Sequence, residues 1–230
     1  MVEAKINCIL LAAGKAKRMD KEIPKQFLRL GGKPILIHVL ETLEKSSLFD
    51  QVILTILPEA EAIYEELITT YGIKNVVCVK GGSSRQESTY NALKLVKTDR
   101  VLIHEAARPF VKKELLQELI THKDPAVVPV IAVDFTVSIG SEYMTGMLDR
   151  NQLRNVQLPQ VFDTEILKDA HEKAIIEGFR ATEDSMLVYR LGKKVRFING
   201  SLENFKITNQ FDLIIAEKLL YADDNIEQKL

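Results

Sequence analysis

Apolar, β-branched runs recur along the chain at 6–13, 52–57, 76–79, 101–104 and 126–133. Each is short and nearly continuous, the pattern of a strand buried on both faces. Between them the apolar positions switch to helical spacing at about 34–46, 59–71, 84–97 and 112–122. Strand and helix in strict alternation predict an α/β fold: a mostly parallel sheet with helices on both sides. In such sheets ligands bind at the carboxyl ends of the strands. The loops at Gly14, Gly81-Gly82 and Glu105 each follow a strand and are expected to converge on one edge of the sheet.

The alternation stops between about 134 and 163. Gly140 and the Thr145-Gly146 turn have extended-looking flanks, which predicts a hairpin arm projecting from the domain. Leu148, Leu153, Val156 and Val161 are expected to give this arm apolar surface that something must cover. Beyond it the pattern predicts helices at 164–178 and 183–191, a strand at 194–199 and a last helix at about 209–222, capped by Thr208 or Asn209. The polar tail after it is expected to fray. No internal repeat or linker interrupts the chain, so residues 1–230 are expected to form a single domain carrying the arm.

Composition narrows the function classes. With 31 basic and 32 acidic residues the net charge is −1, which gives no support to nucleic-acid or membrane-surface binding. Any anion site must therefore be a local concentration of cations. The two cysteines, Cys8 and Cys78, lie in strand-like runs and are expected to be core residues in a reducing compartment. The four histidines show no metal-ligand spacing. No stretch has the length of a signal sequence or a membrane span, so a cytoplasmic location is expected.

Four clusters carry candidate chemistry. Ile6 to Ala13 breaks at Gly14 into Lys15, Lys17, Arg18 and Lys21, with Lys25 following Pro24. This is either a strand feeding a phosphate-binding loop or a strand followed by a solvated basic loop. Gly81-Gly82-Ser83-Ser84, with Ser88 beyond, offers close backbone approach and hydroxyls at a helix start; it also fits an ordinary turn with a serine cap. His104-Glu105-Ala106-Ala107-Arg108 places an acid and an arginine just past a strand. Glu105 could meet a ribose or help hold a metal, or simply pair with Arg108. Lys206 precedes the last helix and gains weight only if the fold brings it to the edge that holds Lys25.

In order along the chain stand AAG-x3-RM, PKQF, GG-x2-R-x2-S, H-acid-x2-RP, DRN-x-L, PQ-x-F and N-x-K-x-T. Each is weak alone, but the set in this order resembles the 2-C-methyl-D-erythritol 4-phosphate cytidylyltransferase family, with the ribitol-5-phosphate cytidylyltransferases as near relatives. The resemblance covers about residues 6–220. It implies a Rossmann-like nucleotidyltransferase domain with a projecting β-arm, usually a homodimer joined through that arm. By resemblance, Ala12, Ala13 and Gly14 form a strap over the nucleotide, and Arg18 and Lys25 grip the CTP triphosphate. Gly82, Ser83 and Ser88 fall where the family reads cytosine; Glu105 and Ala106 where it meets the ribose; Lys206 at the α-phosphate. Arg108 and Thr182 are implied to face the acceptor, and Thr136 and Arg150 to reach a partner's acceptor phosphate. The implied cofactor is Mg2+, held mainly by the CTP phosphates, with Glu105 a candidate contact.

The implied reaction joins CTP to a small polyol phosphate, first of all 2-C-methyl-D-erythritol 4-phosphate, for isoprenoid precursors. A ribitol-5-phosphate or similar enzyme for surface polymers, and a catalytically silent nucleotide-binding relative, are the alternatives. The chain departs from the family pattern at Ala16, where glycine is usual, at Glu105, where aspartate is usual, and at Leu158, where threonine is usual. Leu158 is expected to lie near the acceptor.

Overall fold

The computed structural model describes residues 5–14 and 24–227, with 222–227 as backbone alone. The expected alternation is present. Strand β1 (Ile6–Leu11) is followed by a two-residue ladder of β2 (Arg29–Leu30) with β3 (Lys33–Pro34), then helix α1 (Ile35–Ser46). Next come β4 (Phe49–Ile56), α2 (Glu61–Thr70), β5 (Val76–Lys80), α3 (Arg85–Leu93), β6 (Arg100–Glu105), α4 (Lys113–Thr121) and β7 (Ala126–Ala132). In the main sheet β5, β4, β1 and β6 lie side by side and parallel.

Side-chain alternation along the strands explains the two helical layers. Cys8, Leu10 and Ala12 face a cluster with Leu36, Ile37, Tyr64, Leu116 and Leu119 from α1, α2 and α4. Ile9, Ile53, Val101 and Ile103 face the other side, with Ala92 and Leu93 of α3. The same layer takes residues from α5 (Thr164–Ile176) and α6 (Asp184–Arg190). The inner strands β1, β4 and β6 thus bury both faces, which is why each carries a continuous apolar run, whereas the edge strand β5 is only partly covered and leaves Val77 exposed.

The segment after β7 corrects the expected arm. Only β8 (Val137–Gly140) and β9 (Met144–Leu148) form a separate antiparallel hairpin. Strand β10 (Arg154–Val156) rejoins the main sheet against β7, and β11 (Gln160–Asp163) runs antiparallel between β6 and β7. Val161 is therefore fully buried in the sheet, and Leu153 and Val156 are half-buried; only Leu148 of the expected apolar set is exposed on the hairpin. For Leu153, Val156 and Val161, the return of the chain to β6 and β7 supplies the expected cover.

The remaining elements are β12 (Arg196–Asn199), parallel to β7, and α7 (Gln210–Glu227). Asn209 caps α7: its side chain accepts from the Asp212 N–H at 2.9 Å, while Asp212 accepts from the Asn209 and Thr208 N–H groups. This reciprocal cap fixes where the helix begins. Leu213 and Ala216 of α7 pack with Leu28, Leu30, Ile35 and Ile207. That small satellite core holds the segment bearing Lys206 beside the segment bearing Lys25.

Candidate active site

A cavity of about 640 Å3 opens at the carboxyl ends of β1, β4 and β6. It lies where the chain, after β1, turns to one side of the sheet for β4 and to the other for β6, the expected position for a ligand in such a sheet. Ala12, Ala13, Gly14, Lys25, Gly82, Ser83, Ser88, Glu105, Ala106 and Lys206 all line it. The strand-end loops converge as their positions predict, and Lys206 does reach the wall that holds Lys25.

The turn after β1 is fixed from several sides. The Ala12 N–H donates to the Thr55 carbonyl at 3.2 Å and to its hydroxyl oxygen at 3.1 Å. The Ala12 carbonyl accepts from the Gln26 amide and the Tyr64 hydroxyl, both at 2.7 Å. Gln26 and Tyr64 also contact each other at 2.8 Å. Because Gln26 follows Lys25, the clamp that sets the turn also sets the lysine. Burial, the leading cause, pushes the Tyr64 phenol up to about 12, so its hydroxyl keeps the proton it donates.

Gly81 lets the second loop press against the first. A Cβ there would fall 2.3 Å from the Ala13 Cβ, a distance no side chain tolerates. The Gly82 N–H donates to the Ser88 hydroxyl at 3.0 Å, and that hydroxyl donates to the Ser84 carbonyl at 2.8 Å. Ser84 caps α3 through the Glu87 N–H, and Ser83 donates from both its N–H and its hydroxyl to the Glu87 carboxylate. The serine-cap reading and the cavity-wall reading are thus both true of one loop.

The third loop is electrostatically dense. Glu105 is almost buried, with Lys206 Nζ at 2.7 Å, Arg85 Nε at 3.4 Å and Arg108 Nε at 3.9 Å. Burial alone would raise its pKa, but Lys206 and then Arg85 outweigh it and hold the carboxyl at about 2. The local Glu105–Arg108 pair is the longest of these contacts; Lys206 is the dominant partner. The Ile207 N–H donates to the Ala107 carbonyl at 2.9 Å and so anchors Lys206 to this loop. His104, just before, is pushed down to about 4 by burial and stays neutral at ordinary pH.

Other expected residues are not on this cavity. Arg108 lies behind Glu105 and donates to the Asn204 carbonyl at 2.7 Å. Thr182 is exposed before α6, with its hydroxyl 3.4 Å from the Met186 sulfur. Thr136 and Arg150 are exposed at the root of the hairpin, where Arg150 donates to the Asp134 carbonyl at 2.7 Å. Arg18, with Lys15, Lys17, Lys21 and Ala16, lies outside the described residues. Leu158 corrects its expected place: its side chain is 1% exposed and packs in the core with Ile9, Val101 and Phe162. Only its carbonyl has a polar role, accepting from Asn204 at 2.6 Å.

Four polar lining residues had no expected role in the site: Gln26, Thr55, Arg85 and Thr208. Gln26 and Arg85 sit inside motifs already singled out, PKQF and GG-x2-R, which was the available signal. Thr55 is the polar residue within the otherwise apolar run 52–57. Among the described residues no group of three His, Cys, Asp or Glu could hold a metal ion. Among the described lining residues Glu105 is the one carboxylate; it stays ionised and fits a metal carried in on phosphates rather than a protein cage.

Residues 6–222 match the family described as IspD, 2-C-methyl-D-erythritol 4-phosphate cytidylyltransferase. A protein of that name from Bacillus cytotoxicus is 38% identical over 219 residues, covering 93% of this chain and 97% of its own. One from Clostridioides difficile is 38% identical over 227 residues, covering 96% of each. Among solved structures, 4-diphosphocytidyl-2C-methyl-D-erythritol synthase from Anaerococcus prevotii superposes with a TM-score of 0.83 at 31% identity, covering 94% of this chain and 96% of that one. The Thermus thermophilus cytidylyltransferase gives 0.78 at 31% identity, covering 94% and 98%. The chain belongs to the 2-C-methyl-D-erythritol 4-phosphate cytidylyltransferase family.

Proposed function

We propose that this chain transfers the cytidylyl group of CTP to 2-C-methyl-D-erythritol 4-phosphate, giving the CDP-polyol and pyrophosphate for isoprenoid precursor synthesis. The observation that carries this reading is a single cavity lined by Ala12–Gly14, Gly82, Glu105, Lys25 and Lys206, in a chain of this family. A phosphate oxygen of the acceptor attacks the α-phosphorus in line. The bond from that phosphorus to the bridging oxygen breaks, and pyrophosphate leaves. The nucleophile is already an anion, so no protein nucleophile is needed. The difficulty is bringing two polyanions together, and it is met by positioning and fixed positive charge.

Lys25 and Lys206, with Arg18, neutralise the triphosphate and the charge that builds at the α-phosphorus. The Ala12–Gly14 turn covers the nucleotide; Gly82, Ser83 and Ser88 meet the cytosine edge, and Glu105 and Ala106 the ribose. A Mg2+ bound to the phosphates would add charge neutralisation on the leaving group, and among the described lining residues Glu105 is the carboxylate that could help hold it. Arg108 and Thr182 serve the acceptor. Thr136 and Arg150 reach the acceptor phosphate of a second copy, in a homodimer joined through the hairpin. Phe135, Tyr143 and Met147 are exposed there, and a symmetric partner is the simplest cover for them.

The test is product formation with CTP, UTP, ATP and GTP against methylerythritol phosphate and ribitol 5-phosphate. CTP with methylerythritol phosphate should be preferred. Preference for a purine triphosphate, or for ribitol 5-phosphate, would overturn the corresponding half of the assignment.

A further inference from the structure

Arg85 opens α3 on the cavity wall, yet its guanidinium faces three carboxylates from two other elements. Nη1 lies 2.7 Å from Asp184 Oδ2, Nη2 lies 3.2 Å from Glu183 Oε2, and Nε lies 3.4 Å from Glu105 Oε1. Each carboxylate has a second anchor. Asp184 accepts from His171 Nε2 at 3.0 Å, and that fully buried ring stacks on Tyr90. Glu183 accepts from the Gln160 amide at 3.2 Å. The second anchor of Glu105 is Lys206, at its other oxygen, Oε2.

Taking this many charges out of water is costly unless the geometry compensates each of them. The cluster balances: Arg85, Arg108 and Lys206 stand against Glu105, Glu183 and Asp184. The planar fork of a guanidinium fixes the angles between its partners, which an ammonium cannot do. Asp184 and Glu183 are anchored to α5 and β11, so Arg85 is held rigidly from behind. With Arg85 on Oε1, Glu105 presents Oε2 toward Lys206.

We propose that Arg85 is a positioning residue for the transfer reaction, orienting Glu105 so that Glu105 in turn aims Lys206 into the cavity. This rests on the proposed activity for its kinetic consequences, but the side-chain relay itself does not. Arg85 acts through Glu105 alone; it contributes to rate rather than to the affinity for CTP.

A double-mutant cycle tests this. Arg85→Gln should lower kcat about tenfold, with the KM for CTP changed less than about threefold. In a Glu105→Gln background the same change should cost less than about twofold further. Arg85→Lys, which keeps the charge and loses the fork, should not restore the rate. Additive losses would show that Arg85 touches substrate or serves only the packing of α3 on α6, and full rescue by lysine would show that charge alone matters. Glu183→Gln, which leaves the Asp184–His171 pair intact, repeats the cycle should Arg85→Gln fail to fold. Its smaller loss should likewise vanish in the Glu105→Gln background. The side-chain ammonium resonance of Lys206 in 15N NMR, without any nucleotide, separates the relay from the activity. It should shift on Arg85→Gln and not when Glu105→Gln is already present. An unmoved resonance overturns the relay whatever the enzyme turns over, and absent turnover by the parent protein overturns only the activity.

Discussion

Around the cavity, the side chains of interest sit on segments packed at the carboxyl ends of buried strands. In the β8–β9 hairpin they hang from a two-stranded ladder that no third strand covers. Glu105 is the last of five positions of parallel pairing between β6 and β1, and its carboxylate is gripped by three cations. Arg150, beyond the hairpin, has one hydrogen bond to a neighbouring backbone carbonyl and otherwise faces outward. The first region is preorganised by the fold, so its electrostatic work is set before any ligand arrives. A lone hairpin is marginal in water and gains definition from what it packs against. In the proposed homodimer, half of the site would be a property of one chain and half a property of two.

The largest effect should come from the preorganised side. Lys25→Ala and Lys206→Ala should each lower kcat about a hundredfold, or ~3 kcal/mol of transition-state stabilisation, with a smaller change in CTP binding. Wild-type turnover in either variant, measured at saturating CTP, would remove that lysine from the chemistry.

The next test breaks the comparison at its seam. Lys25→Ala lies on the cavity and Arg150→Ala at the root of the hairpin; mixed and allowed to exchange subunits, they should recover activity. Random pairing leaves one intact site in half of the dimers, so about a quarter of the wild-type rate is expected. No recovery, once mass spectrometry has shown exchange, would mean that each site is built from one chain.

Leu158 sharpens the same contrast at lower magnitude. Its side chain belongs to the sheet core and not to the acceptor, so Leu158→Thr should act on stability. An unpartnered hydroxyl there costs ~1–3 kcal/mol, a fall in Tm of about 2–4 °C per kcal/mol for a chain of this size. The KM for methylerythritol phosphate should not move; a lowered KM with unchanged Tm would return Leu158 to the acceptor.

The smallest effect is in pH. Glu105 and Asp184 are both held at about 2, against 4.5 and 3.8. Burial would raise each; Lys206 and Arg85 outweigh it for Glu105, Arg85 and His171 for Asp184. Their folded-state values lie below the unfolded ones, so their stabilisation is complete above the unfolded pKa and is lost as pH falls toward the folded one. Glu183, raised by burial first and then by Glu105 and Asp184, works in the opposite sense. Tm measured from about pH 6 down to about pH 3 should fall more steeply in the wild type than in Glu105→Gln. Parallel curves would mean that Glu105 is not the carboxylate being protonated.

Much of the rigid half was legible in the sequence because its periodicity and its loops coincide. An apolar run such as Ile6–Leu11, ending in small residues, states both a buried strand and where its ligand edge lies. Less legible was everything fixed by non-local pairing. Arg154–Val156 and Gln160–Asp163 are too short and too mixed in polarity to announce that they return to the sheet, and their register depends on β6 and β7. Leu158 sits in a motif beside Gln157 and Gln160, and only the folded backbone reveals that it turns the other way. Arg85 stood in a recognised motif, but the acids that give it meaning are 20, 98 and 99 residues distant in sequence.

The placement of β11 between β6 and β7 has an evolutionary consequence. The chain leaves the sheet at the end of β7, runs out through the hairpin, and is caught again on both sides of its return. Changes in hairpin length between these two anchorages leave the pairing of either one undisturbed. The excursion can therefore lengthen, shorten or change its contact surface by drift while the inner sheet stays in register. Such a segment is where one lineage can acquire an assembly partner without rebuilding the cavity at the strand ends. It is also where a designer would graft a new interface first.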